Sequence, residues 1–533
     1  MEGLLLGSIW HYFFSVFFWW ANLTFFEFLI FVCASYLLGN LILKFLRIDF
    51  QHPGEQAVYS VILGYGGFGL AGTILAISGL FDALYLRIFF AAVFLISAKD
   101  IFRKASTFSF PKNLFKEHIL LKSVLIFWVF ANFLLAFSPI TGNDSLMYHV
   151  PIMFDIVNRE EATFSPEIDG FYAYLPVFAE ITYAVPIAIF GEHSGFVKPP
   201  GRKIDVPPDI YVFQLVQYSV LVLFLGLFYF FLKNFVADKL FIFGALFFTA
   251  GIFDLQRELL HAGYIDVFTF LFAIASTLLI IQAFRENNPS KKFLLSSIMF
   301  GLALGMKYLA LIFGLINFIF IMIFFLIKKW KVGASTKQLL LYGIAPLLIS
   351  GFWYVKNIFA YGNPVYPMFS SGDFTSGIAW FMAERTPLNF ILFPFILSAR
   401  WFFDATQTSS RLLTLGSFAV FYLLILFFLL KREKIEARNA MIFLFIQIYL
   451  SIMFFMSHQH RFLLPAMMVL VLGVFILLDK FMPYVKFKKT VRGLLIASCL
   501  ILFLANFHYF GVKFLYLTGV YDRATYIHEI GGQ

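Results

Sequence analysis

Ten side chains with acid–base or anion-binding chemistry stand at or near the ends of apolar segments: Asp144, His149, Arg257, Glu258, His261, Asp266, Lys307, His458, His460 and Arg461. A carboxylate in such a place can accept a proton from a hydroxyl, and a cation can hold a phosphate through charge-assisted hydrogen bonds. Charges beside hydrocarbon are costly to keep, so their gathering at one level of a membrane marks a candidate site. An acid above a phosphate-binding cluster suits a lipid-phosphate substrate whose tail stays in the bilayer. Glu160 and Glu161 are further acids of the same connection as Asp144. His458 and His460 are two apart, a poor spacing for metal ligands on a helix face, so no metal site is expected.

Each of these residues also has a structural reading. Asp144 follows Gly142-Asn143 and precedes a helical pattern, the position of an N-cap. His149 can be an interfacial histidine, and Asp266 can pair with Arg257 or His261. Lys307 can snorkel to the headgroups, and Arg461 can anchor a helix end to lipid. The Asn363-Pro364-Val365-Tyr366-Pro367 run reads as a rigid turn.

The elements that must position these residues are membrane helices. Of 533 residues 61% are hydrophobic and 13% charged, about half the charge of a soluble domain. The apolar runs are ~20 residues long, enough to cross ~30 Å of hydrocarbon. About fourteen spans are predicted, near 24–44, 56–80, 83–100, 119–137, 209–232, 240–256, 264–284, 293–309, 310–327, 338–356, 412–430, 439–457, 462–480 and 493–511. Residues 4–20 read as a further span or an interfacial helix, given Trp10, Trp19 and Trp20. Neither a cleavable leader nor an internal repeat is expected. Cys33 and Cys499 lie in apolar segments, which argues against a disulfide framework.

Charge orients these spans. Arg103, Lys104, Lys112 and Lys116 form one basic loop, and Arg285, Lys291 and Lys292 a second. Lys328, Lys329, Lys331 and Lys337 form a third, Lys431, Arg432, Lys434 and Arg438 a fourth, and Lys486, Lys488, Lys489 and Arg492 a fifth. All five fall on one side, which the positive-inside rule makes cytoplasmic; the net charge of +10 reflects this bias rather than nucleic-acid binding. The other side receives two long connections, 138–208 and 357–411. The first opens acidic, with Asp144, Asp155, Glu160, Glu161, Glu167 and Asp169 against Arg159. Apolar Leu146, Val150, Met153, Ile156 and Val157 predict an amphipathic helix over 145–158 along the outer membrane face. A second is expected over 388–397. The apolar stretch 175–190, interrupted by Pro176, Glu180 and Pro186, reads as a re-entrant or interfacial helix.

The run Ser138-Pro139 leading to Asn143-Asp144-Ser145-Leu146-Met147-Tyr148-His149-Val150-Pro151 resembles the first outer loop of bacterial GT-C glycosyltransferases, relatives of protein O-mannosyltransferases and aminoarabinose transferases. Further stretches are similar in the same order: Gly263-Tyr264-Ile265-Asp266, Gly301-Leu302-Ala303-Leu304-Gly305-Met306-Lys307-Tyr308, Trp353-Tyr354-Val355-Lys356-Asn357, Gly362-Asn363-Pro364-Val365-Tyr366-Pro367 and Arg461-Phe462-Leu463-Leu464-Pro465. The likeness covers about residues 130–470.

The resemblance implies a GT-C-like helical bundle as a single transmembrane domain, 1–513, with a short tail, 514–533. It implies inverting transfer of a sugar from a polyprenyl-phosphate donor to a glycan, lipid or protein acceptor outside the cytoplasm, without a cofactor or metal. Asp144 takes the position of the family's loop acid; many relatives have Asp-Glu where this chain has Asp144-Ser145. His149, Glu160, Glu161, Arg257, Glu258, His261, Asp266, Lys307 and Arg461 are the expected substrate-binding residues. An inner-membrane location with the site facing the periplasm follows. An O-antigen polymerase or ligase would share the spans and long loops. A transporter would predict paired pseudo-repeats, and none is evident.

Overall fold

The computed structural model describes residues 2–107, 118–162, 173–191, 211–286, 289–329, 332–368, 384–402, 408–432, 436–457, 459–505, 507–517, 520–521 and 525. Lys112, Lys116, Glu167, Asp169, Lys331, Lys434 and His458 lie outside them, as do the side chains of Arg103, Lys104, His261 and His460. The described residues form helices and turns, with no strand among them. A helix occupies each of the fourteen predicted spans. Among the described residues, eight helices are long and apolar enough to cross a membrane, and four shorter apolar helices accompany them. The chain is a multi-pass, all-α membrane protein.

Two ends differ from expectation. Residues 4–20 are neither a separate span nor a separate surface helix, because α1 runs unbroken over Glu2–Phe45. At 1.5 Å per residue it is about 66 Å long, well beyond the hydrocarbon thickness. The last predicted span is two helices, Lys488–Ala505 and Phe507–Leu517, so the tail drawn from 514 begins inside a helix.

The chain divides into two compact units. Unit 1 comprises Met1–Gly226, Arg257–Phe268 and Phe507–Gln533, and unit 2 comprises Leu227–Gln256 and Thr269–Asn506.

In unit 1, α1 and α2 (Pro53–Ile77) form a hairpin whose backbones touch through small residues. A Cβ added at Gly39 would lie 1.7 Å from the Ser60 carbonyl oxygen, and one at Gly64 would lie 1.8 Å from that of Ser35. Ser35 and Gly39, like Ser60 and Gly64, are four apart, the small-xxx-small spacing by which membrane helices approach closely. Further along α2, Gly69 and Gly72 admit α6 (Phe178–Phe190): a Cβ there would meet Thr182 and Phe178, or Val185 and Ile181. Helix α6 is the predicted element over 175–190. Its 13 residues are too few to span a bilayer, and residues 178–189 are all buried, so it is an internal helix and not one lying along a surface. Between α2 and α6 in the sequence come α3 (Ala83–Thr107), α4 (Ile119–Leu135) and the first loop helix, α5 (Val150–Arg159).

In unit 2, the part of α10 (Asp266–Ala283) from Thr269 onward, α11 (Ser290–Leu304), α12 (Ala310–Lys328) and α13 (Val332–Tyr361) are joined by a buried polar cluster. The Asn317 amide donates at 2.9 Å to both Ser276 Oγ and Tyr342 Oη, and the hydroxyls of Ser276 and Ser296 stand 2.8 Å apart. In hydrocarbon such groups have no water to turn to, so pairing across helices fixes the register of the bundle.

Residues of three predicted basic loops meet at one end of unit 2. Glu436 binds Lys480 at 3.0 Å and Arg438 at 2.5 Å, and Asp238 binds Arg492 at 2.6 Å. Arg285 and Arg438 both stack on the Phe235 ring, at 5.4 and 4.6 Å.

Candidate functional site

The first loop builds its candidate residues on a change of helical winding. Residues 145–149 form a π-turn that leads into α5, with the Val150 N–H donating to the Ser145 carbonyl. In an i→i+5 turn residues five apart approach the same face, whereas an α-helix would set them apart. Asp144 and His149 are such a pair. Asp144 has helical backbone angles and makes no side-chain capping hydrogen bond, so the N-cap reading is not borne out. The predicted amphipathic helix is present: Leu146, Val150, Met153, Phe154, Ile156 and Val157 are buried, and its apolar face packs on α6.

That packing gives His149 its partner. Nδ1 of His149 lies 2.7 Å from Oε1 of Glu180 on α6, and both side chains are almost wholly buried, at 1% and 3% exposure. Three residues along α6, Tyr183 donates to Gln217 Oε1 on α7 (Tyr211–Lys233), and Gln217 Nε2 donates at 2.7 Å to the Tyr264 carbonyl. One turn earlier on α7, Gln214 donates to the Ser138 carbonyl. The positive φ of Gly263 sets the 263–266 turn against Ile140, whose side chain a Cβ there would meet at 3.0 Å. Two glutamines in one apolar helix thus fasten together the Ser138–Asp144 and Gly263–Asp266 motifs. Lys513, fully buried on the Phe507–Leu517 helix, donates at 3.3 Å to the Leu135 carbonyl at the C-terminus of α4.

A second π-turn, Arg257–Ala262, carries Arg257, Glu258 and His261. Such turns are rare and recur at functional sites; here they fall on two of the predicted clusters. Glu258 is buried and Arg257 exposed, while Asp266, in the first turn of α10, is fully buried. Glu160 and Glu161 are placed elsewhere: both are exposed beyond the far end of α5, about 22 Å along the axis from Asp144. Backbone bonds from Phe81 to Glu160 and from Ala162 to Ala76 tie that end to the turn after α2.

Lys307 and Arg461 belong to unit 2. Lys307 is half-buried in the turn between α11 and α12, next to Tyr308. The Tyr308 hydroxyl accepts from Asn357 Nδ2 at 2.6 Å and donates to the Tyr366 carbonyl at 3.0 Å. Three motif stretches, ending at Tyr308, Asn357 and Pro367, are knotted at that one hydroxyl. Arg461 opens α17 (His460–Phe481), where its Nε donates to Gln459 Oε1 at 3.1 Å and its guanidinium lies 4.9 Å from the Phe462 ring. Tyr449 of α16 (Ala437–Met456) donates at 2.7 Å to the Phe462 carbonyl and meets the Phe313 ring of α12 edge-on, centroids 5.5 Å apart. One tyrosine therefore links the helix that follows Lys307 to the helix that Arg461 begins.

No protein-family model matches the sequence, and no curated protein matches it. A solved structure with some likeness is the crystal structure of ArnT from Cupriavidus metallidurans bound to undecaprenyl phosphate. It is 13% identical, with a TM-score of 0.48 over 79% of this chain and 78% of that one.

Proposed function

We propose that the protein is an inverting GT-C-type glycosyltransferase that moves a sugar from a polyprenyl-phosphate donor to an acceptor on the periplasmic face. The observation that carries this reading is the joining of the family-like motifs. Six separate stretches resemble the family in order, and two knots, at Tyr308 and at Gln214 and Gln217, bring five of them together within their own units.

In this reading Asp144 takes the proton of the acceptor hydroxyl as its oxygen bonds to the anomeric carbon. The bond from that carbon to the lipid phosphate breaks on the opposite side, and the phosphate leaves with the electron pair. Inversion follows from this single displacement, without a covalent enzyme intermediate. Lys307 and Arg461 hold the donor phosphate, balancing a charge that is costly beside hydrocarbon. His149, Arg257, Glu258, His261 and Asp266 contact the substrates. Glu160 and Glu161, exposed at the far end of α5, are left without a part in the proton transfer.

Incubating the purified protein with a panel of polyprenyl-phosphate sugars and following release of the lipid phosphate tests the reading. Release from at least one donor is expected. No release from any of them, with folded protein, overturns it.

A further inference from the structure

Where the basic loops meet at the end of unit 2, the described acids are engaged and several cations are not. Glu436 is held by Lys480 and Arg438, and Asp238 by Arg492. Asp479 accepts from the backbone N–H groups of Ala237 and Asp238, at 2.9 and 3.2 Å. Lys431, Arg432, Lys486, Lys488 and Lys489 are exposed, and none has a side-chain hydrogen bond or ion pair among the described residues. Glu433 and Lys434, next in the sequence, lie outside the described residues, and their charges cancel.

Aromatic packing gathers these cations into one patch. Tyr484, in the 3-10 turn Met482–Tyr484, packs on Phe427 and Phe428 of α15 (Thr408–Leu430), centroids 5.4 and 6.4 Å apart. Lys431 and Arg432 follow α15 directly, Lys486 follows the turn, and Lys488 and Lys489 open α18 (Lys488–Ala505). Two rings stand bare among them, Tyr484 at 45% exposure and Phe487 at 74%. Rings and lysines together at a helix end are the chemistry of a membrane interface, apolar on one side and wet on the other. Past the rings, both helices carry exposed apolar rows. Leu423, Leu426 and Leu430 lie on one face of α15, and Leu494 and Ile501, two turns apart, on one face of α18. The two helices pack on each other, so both rows run from the same cations. A Cβ added at Gly493 would meet nothing within 4 Å, so the surface is open at the second turn of α18. Soluble anions, acidic peptides and nucleic acids match the cations but leave the leucine rows unused. A partner anionic at one end and apolar along the next turns matches both.

We propose that this patch binds an anionic phospholipid, its headgroup phosphate held by the five cations and its acyl chains lying along the exposed rows of α15 and α18. No residue of the patch takes part in the proposed sugar transfer, so the site stands apart from that reading.

The test uses the full chain purified in neutral detergent. It is titrated with phosphatidylglycerol, or with phosphatidylcholine of the same acyl chains, and bound lipid is counted by native mass spectrometry. Phosphatidylglycerol is expected to bind at least tenfold more tightly. Each cation beside an anionic headgroup is worth roughly fivefold, so Lys486→Gln/Lys488→Gln should weaken phosphatidylglycerol tenfold or more and leave phosphatidylcholine unchanged. Lys328→Gln/Lys329→Gln removes the same charge from another exposed basic loop and should change neither. Glycerol phosphate, an acidic peptide and a short oligonucleotide, each at the lipid's concentration, should not displace it. Equal affinity for the two lipids overturns the proposal, as do equal losses in the two double variants. Displacement by any of the soluble anions overturns it too, because the apolar rows would then have no part. Should the first variant fail to fold, Lys488→Gln/Lys489→Gln replaces it with the same expected outcome.

Discussion

Asn357 donates to the Tyr308 hydroxyl at 2.6 Å, joining the end of α13 to the turn that carries Lys307. Asn357 is fully buried, so Asn357→Leu removes a bond that water cannot replace. A loss of about 1 kcal/mol in stability is expected, the usual net value of such a bond, together with weaker donor binding through the loosened Lys307 turn. Thermal unfolding and donor titration of the one variant read both; unchanged donor affinity would separate the knot from the site.

Lys307 and Arg461 are expected to carry the donor phosphate. Lys307→Met and Arg461→Met keep an apolar stem and remove the charge, and each should weaken donor binding more than tenfold, ~1.4 kcal/mol or more. Equilibrium binding of the active donor to each purified variant checks this. Wild-type affinity in both removes them from the site.

Asp144→Asn keeps the size of the side chain and cannot accept the proton. The asparagine amide keeps a hydrogen-bonding oxygen at that position, so folding and donor affinity should stay near wild type while turnover falls by roughly 10²–10⁴. Near-normal turnover would end its part as base, and the exposed, distant Glu160 and Glu161 would be poor successors.

Glu436 gives a pH signature unrelated to the chemistry. The hydrogen bond from Lys480, reinforced by Arg438, holds its carboxyl below the ordinary range, against the opposing effect of burial. A depressed carboxylate contributes stability that is present above its unfolded pKa, about 4.3, and is lost as pH falls through the folded value. Comparing melting of Glu436→Gln with wild type, the deficit should be constant near neutrality and shrink below about pH 4. The group is half-exposed, so the effect is small. A deficit that does not shrink on acidification contradicts the assignment.

Topology is tested separately from activity. Cysteines introduced at Asn158 and Asn389 should react with an impermeant reagent in intact cells, as the 138–208 and 357–411 connections are proposed to face outward. One at Lys292 should react only after permeabilisation. Protection of either outer position reverses the orientation.

Much of this was legible in the sequence, for identifiable reasons. Helix periodicity at Leu146, Val150, Met153, Ile156 and Val157 announced α5, because one apolar stripe must be buried whatever lies against it. The partner of His149 was not legible. Glu180 read only as an interruption of an apolar stretch, since nothing local says which distant helix a carboxylate will face. The π-turns were hidden for a different reason: Ser145–His149 and Arg257–Ala262 differ from α-helix by winding alone, and no side-chain pattern encodes that. Gln214 and Gln217 carried a usable signal that went unread. Two amides three apart in an apolar helix must bond to something, and they bond to the carbonyls of two motifs.

The crossing of α1 and α2 bears on how genetic data for this protein will look. Gly39 and Gly64 face backbone carbonyls with no room for a methyl group, so even alanine there forces the hairpin apart. A loss-of-function screen will score these two glycines alongside Asp144, although they make their contacts in the α1–α2 hairpin. Ranking positions by intolerance alone would then place a packing seam among the catalytic residues. Measuring how much correctly inserted protein each variant leaves in the membrane, before any assay of turnover, tells the two kinds of position apart.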